Sequence, residues 1–115
     1  MRRKAKLQGM APEALEFIAA RFRVLSEASR LKLILALEEG ERNVSWLVET
    51  TGLNQANVSQ HLQTLTDAGI LGRRKQGPNV IYYVADESMF KLCDHTCGSL
   101  QGQRARQAQA LAPDG

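Results

Sequence analysis

The amino-acid sequence predicts a mainly α-helical fold with a single β-hairpin, in the order helix, helix, helix, helix, strand, strand, helix. Two observations carry this reading. Apolar residues recur at three- and four-residue spacing through residues 13–68, and again from Asp86 onward. Between these stretches, from Ile70 to Val84, the period drops to two and a Gly-Pro pair divides the run, as in a hairpin. The chain has 115 residues, 43% of them hydrophobic, enough for one core without metal or disulfide staples. Aromatic residues are only 5%, so Leu, Val, Ile and Ala must build that core.

Residues 1–12 read as a flexible, basic lead-in, 13–103 as the folded domain and 104–115 as a flexible tail rich in Gln, Ala and Arg. Pro12 and Glu13 suit a helix start, since Pro fits the first turn and a carboxylate there meets the helix dipole. Leu15, Ile18, Phe22 and Leu25 then share one helical face over 13–25, with Phe17 alongside. Ser26 or Ser29 offers a cap for the next helix. Its Leu31, Ile34, Leu35 and Leu37 are apolar nearly all round, as on a helix buried on most sides, and Gly40 ends it. Val44, Leu47 and Val48 form the inner face of a short third helix that stops at Thr51-Gly52. Leu53 fills the turn, Asn54 caps the fourth helix, and Val58, Leu62 and Leu65 are its inner stripe up to Gly69.

The outer face of this fourth helix is unusual. It carries Asn54, Gln55, Asn57, Ser59, Gln60, His61, Gln63 and Thr64, hydrogen-bonding groups where an ordinary solvated helix shows Glu and Lys. The hairpin follows: Ile70 and Leu71, the basic run Arg73-Arg74-Lys75 with Gln76, the turn Gly77-Pro78-Asn79, then Val80 to Val84. A last helix begins at Asp86, with Met89, Cys93, Cys97 and Leu100 in a narrow stripe suited to pairing with another helix.

Several function classes drop out. The net charge of +3 permits an anionic partner without requiring one. The longest apolar stretch, Leu31 to Leu37, is broken by Lys32 and falls far short of the roughly 20 residues that span a bilayer. No apolar segment follows the basic start, and two cysteines cannot make a secreted disulfide scaffold, so a cytoplasmic protein without a membrane partner is expected. There is no Gly-rich phosphate loop, no Ser-His-Asp set and no plausible carboxylate pair, so no enzyme is expected.

Two short helices around a tight Gly turn, followed by a basic hairpin, make a winged helix-turn-helix. A polar helix face alone is usually just solvated. With the basic hairpin beside it, the fourth helix fits a major groove, where Asn, Gln, Ser, Thr and His read base edges. Arg73, Arg74, Lys75, Gln76 and Asn79 on the wing then supply contacts to phosphates. His61 is expected either to touch DNA or to anchor the helix, and Trp46 to pack.

The residues also resemble a known family. Leu25-Ser26-Glu27-Ala28-Ser29-Arg30-Leu31 is similar to the L-x-x-x-x-R-L opening of the ArsR/SmtB repressors. Gly52-Leu53-Asn54-Gln55-Ala56-Asn57-Val58-Ser59-Gln60-His61-Leu62 resembles their recognition helix, and Asp67-Ala68-Gly69-Ile70-Leu71 with Val80-Ile81-Tyr82-Tyr83 continues the match through the wing. The resemblance covers about residues 15–100. It implies a bacterial, nucleoid-associated homodimer that represses transcription from a double-stranded DNA operator, an inverted repeat, until a signal releases it. The family's usual metal sites are expected to be absent. Glu41 to Leu47 carry Asn43 and Ser45 where thiolates would stand. On the last helix Asp86 is the only match, with Ser88, Ser99 and Gly102 at the other positions.

Cys93 and Cys97, at i and i+4 on one helical face, remain as a candidate thiol switch or a site for a soft metal or metalloid, since thiolates suit such ions. His95 points away from them. The bland alternative is that both thiols fill a dimer seam formed with Phe17, Phe22, Met89 and Leu100. Two other function classes stand beside the repressor: a winged-helix protein-interaction adaptor, and a cytosolic thiol or soft-metal binding module.

Overall fold

The computed structural model describes residues 9–111. The expected flexible lead-in therefore lies mostly outside the described residues, as does the end of the expected tail.

Helix α1 spans Pro12–Val24, with Pro in its first turn and Glu13 close to the positive end of its dipole. None of its own residues is buried, and its apolar face stays open in the single chain. Helix α2 (Ala28–Ala36) buries Leu33 and Ile34 and is followed by buried Leu37. Three expectations for α2 fail. Neither serine caps it: Glu27 occupies the cap position without a side-chain bond, and the Ser26 hydroxyl donates backward to the Arg23 carbonyl. Leu35 is exposed and Leu33 takes the core position, because the helix is covered on one side only. The helix also ends before Gly40, in a turn over residues 37–39.

Strand β1 (Arg42–Asn43) precedes helix α3 (Val44–Thr51), and helix α4 (Gln55–Asp67) follows after a three-residue turn. Strands β2 (Leu71–Gln76) and β3 (Asn79–Val84) form the hairpin. All three strands are antiparallel in the order β1-β3-β2, with Arg42 opposite Tyr82 and Asn43 opposite Ile81. Nothing in the sequence announced β1, since two residues have no alternation to detect. Asn79, expected in the turn, pairs with Gln76 as the first residue of β3.

The core is aliphatic, as the low aromatic content requires. Leu33, Ile34, Leu47, Val58, Leu62, Leu65 and Ile70 are fully buried. One cross-strand pair fixes the hairpin on its opposite face. Gly72 lies across from Tyr83, and a Cβ there would come within 2.4 Å of the tyrosine ring. Only glycine lets that ring lie flat on the neighbouring strand.

The chain divides into two compact units, one ending at Ala85 and one beginning at Asp86. The second contains helix α5 (Ser88–Leu111), which starts where the Asp86 carboxylate accepts the Ser88 N–H at 3.1 Å. The helix runs eight residues beyond its expected end at 103, through Arg104 and Arg106 to Leu111. Met89 departs from expectation too: it is 7% exposed in the single chain and does not belong to an open seam.

Candidate nucleic-acid interface

The turn between α3 and α4 is locked by local hydrogen bonds. Gly52 has φ 76°, a left-handed conformation that lets it end α3 without side-chain strain. The Thr51 hydroxyl, one residue earlier and buried, donates to the Leu47 carbonyl at 2.6 Å and accepts the Leu53 N–H at 3.3 Å. Asn54 caps α4 by accepting the Asn57 N–H at 2.8 Å. Asn54 is thus partly committed to holding the helix start.

Beyond that cap, Val58, Leu62 and Leu65 bind α4 to the core, and Gln55, Ala56, Asn57, Ser59, Gln60 and Gln63 are exposed. Ala56 was passed over in the sequence reading. At 100° per residue it lies between Gln60 and Gln63, where its methyl suits contact with a thymine methyl. Thr64 is half-buried, its hydroxyl donating to the Gln60 carbonyl at 3.1 Å.

The wing stands next to this face. Gln63 accepts from Arg73 at 3.5 Å and donates to Asp67 at 2.8 Å, so one glutamine joins the helix to the wing. The strand register separates the basic run. Arg73 and Lys75 pair with Tyr82 and Val80 on one face, and Arg74 pairs with Ile81 on the other. Gln76 and Asn79 share the face of Arg74, at the tip. Arg74 is ion-paired with Glu41, which compromises its expected use as a free phosphate contact. Between residues 42 and 84 the only acidic residues are Glu49 and Asp67, against Arg42, Arg73, Arg74 and Lys75. Arg42 stacks on Trp46, its guanidinium carbon 4.4 Å from the ring centroid, which gives Trp46 its packing role.

His61 turns away from the exposed face. Its side chain is 14% exposed, with Nδ1 accepting from Arg30 at 3.3 Å and Nε2 3.9 Å from Glu27. Of the two roles expected for it, the geometry fits the anchor. Arg30 and Glu27 could not be found from the sequence as its partners, because they come from a segment some thirty residues earlier.

The family's thiolate positions on α3 are otherwise employed. Asn43 caps the helix by accepting the Trp46 N–H at 2.9 Å, and Ser45 is exposed. Among the described residues no group of three or more His, Cys, Asp or Glu is arranged to hold a metal. Cys93 is half-buried and Cys97 exposed, both as thiols. Two thiolates per chain fall short of a tetrahedral set, so the pair alone does not fit a resident zinc ion. No helix among the described residues is long and apolar enough to cross a membrane.

Fold and surface define a winged helix-turn-helix protein. A family model for bacterial regulatory proteins of the arsR family matches residues 27–72, from the start of α2 into β2. The probable mercury resistance operon repressor of Streptomyces lividans is 40% identical over 71 residues, covering 62% of this chain and 57% of that protein. The biofilm growth-associated repressor of Agrobacterium fabrum is 30% identical over 88 residues, covering 76% of this chain and 74% of its own length. The homodimeric winged helix-turn-helix DNA-binding domain Mb0332 of Mycobacterium bovis, described as a possible ArsR-family regulator, superposes with a TM-score of 0.69. It is 26% identical, with 81% of this chain and 89% of that one covered. The chain belongs to the arsR family of bacterial regulatory proteins. It spans little more than half the length of the Streptomyces repressor.

Proposed function

We propose that this chain is a homodimeric transcriptional repressor that binds an inverted-repeat operator through α4 and the wing. One observation carries the reading: an exposed, almost uncharged hydrogen-bonding face on α4 stands directly beside a basic β2. Asn57, Ser59, Gln60 and Gln63, with Gln55 and Ala56, read base edges, and Arg73 and Lys75 hold phosphates. Such a protein works in the bacterial cytoplasm, at the nucleoid. A second copy covers the open apolar residues of α1, where Phe17 is 74% and Phe22 55% exposed, together with Cys97 and Leu100 on α5.

Two heads related by a two-fold axis bind half-sites about 10–11 bp apart. The test is a footprint, at moderate salt, on duplexes that the protein selects from a random pool. An inverted repeat with that spacing is expected. Equal protection of all sequences would favour an adaptor, or a protein that holds DNA without reading it.

Release from the operator is assigned to the thiol pair. Cys93 and Cys97 are the chain's only thiols, they lie on one helical face, and a relative's name ties it to mercury resistance. Mercury(II) is satisfied by two thiolates, whereas trivalent arsenic takes three and would have to draw one from the second protomer. Operator affinity of the Cys93→Ser, Cys97→Ser double variant, measured with mercury(II), trivalent arsenic and oxidant, tests this. A double variant that still responds like the wild type removes both thiols from signalling.

A further inference from the structure

Arg30 and His61 belong neither to the exposed face of α4 nor to the wing, yet they join three helices. Arg30, in the first turn of α2, donates from Nη1 to the Val24 carbonyl at the end of α1, at 3.1 Å. Its Nε donates to Nδ1 of His61 on α4, at 3.3 Å. Its Nη2 pairs with Glu27 at 3.0 Å, and the other Glu27 oxygen lies 3.9 Å from His61 Nε2. The Arg30 side chain is 17% exposed and that of His61 14%, so the contact between them is partly sheltered, whereas Glu27, at 51%, remains open to solvent. The Val24 carbonyl is one of the four that a helix end leaves without an intrahelical partner, and Arg30 satisfies it.

The position of His61 on α4 gives the contact its significance. It directly precedes Leu62 and so sits at the border between the buried stripe and the exposed face. The apolar stripe seats α4 on the core and fixes its rotation coarsely, since close packing limits large turns but the attraction itself has no direction. A charge-assisted hydrogen bond at the border is directional. We infer that Arg30, acting through His61, is the positioning residue that sets the rotation of α4, and with it which base edges Gln60 and Gln63 meet. The inference rests on the DNA-reading role proposed above. The same guanidinium grips the end of α1, whose open face is assigned to the second copy, so it links the pairing helix to the reading helix.

The experiment compares Arg30→Met, Arg30→Lys, His61→Leu and His61→Asn with wild type, as full chains. Each is titrated with an operator selected by the wild type and with a scrambled duplex, across a range of salt. Arg30→Met and His61→Leu are expected to lower operator affinity about tenfold and scrambled-duplex affinity less than about twofold, with the salt slope unchanged. Arg30→Lys keeps the charge but has one nitrogen for three acceptors spread around the guanidinium, so it should follow Arg30→Met. His61→Asn keeps an acceptor near the place of Nδ1 and should retain most discrimination. The Arg30→Met, His61→Leu double variant should be no worse than either single change. Equal losses on both duplexes, a lowered melting temperature with an unchanged operator preference, or additive losses in the double variant would each overturn the inference. A wild type without sequence preference would overturn the DNA-reading role and this inference together. A discriminating wild type matched by its variants overturns only this one.

Discussion

Asn43 and Asn54 act alike at the starts of α3 and α4, each accepting the backbone N–H of the third residue of its helix. Replacing Asn54 with Ala should cost about 1 kcal/mol in chemical denaturation, the usual loss for an N-cap. Gly72→Val should cost more, about 1–3 kcal/mol, because its branch would collide with the Tyr83 ring and force the pair apart. Gln60 should behave in the opposite way. Gln60→Ala leaves the melt unchanged and lowers preference for the operator by about 1–3 kcal/mol, read as relaxed discrimination at one base pair. The Asn54 cap was legible in the sequence because a cap is a local signal, whereas the Asn43 cap was not foreseen and the serines expected to cap α2 do not. The partners of His61 and of Arg74 were not legible, because Arg30 and Glu41 reach them across long loops of chain that no periodicity records.

The elements divide in the same way. The stripe of α4 could be read position by position, since Val58, Leu62 and Leu65 all point into one core. On α2 the same kind of pattern misled. Apolar residues all round suggested burial on most sides, but Leu35 faces outward and Leu33 carries the core contact. The wing was legible as a basic hairpin, but its sidedness follows from register. Removing Arg73 should flatten the dependence of log affinity on log salt by about 0.9, one phosphate contact. Removing Arg74 should flatten it less, because Glu41 already occupies that guanidinium. Glu41→Gln should then strengthen DNA binding and steepen the salt dependence by freeing Arg74 for phosphate. A slope unchanged by all three substitutions would take the wing out of the interface.

For the whole molecule, the open surface of α1 is the feature that demands a partner. Leu15, Ile18 and Phe22 lie along one side of that helix and Phe17 along another, all exposed in the single chain. Phe22→Glu is expected to give monomers in sedimentation at micromolar concentration and to cut operator affinity at least tenfold, as one head loses its tether to the other. A dimer that survives this change would move the interface off α1. One residue expected in the dimer seam is already covered in the single chain. Met89 matched the seam's spacing but is buried within one chain, because helical spacing gives the face of a residue and not what covers it.

Asn43 belongs to two elements at once, as the last residue of β1, opposite Ile81, and as the cap of α3. Sheet and helix-turn-helix therefore meet without a hinge, and tilting the wing against α4 would break a strand pair and a cap together. Such a joint favours motion of each head as one body. A signal received elsewhere in a dimer then acts most directly on where the second head lands relative to the first. Successive base pairs rise by about 3.4 Å, so a displacement of that size sets one head a full letter out of phase. Phosphate attraction survives such a slip and letter recognition does not. The released protein should therefore stay on the chromosome, sliding and hopping among wrong sites, and its derepressed state should be read as lost discrimination rather than as free protein.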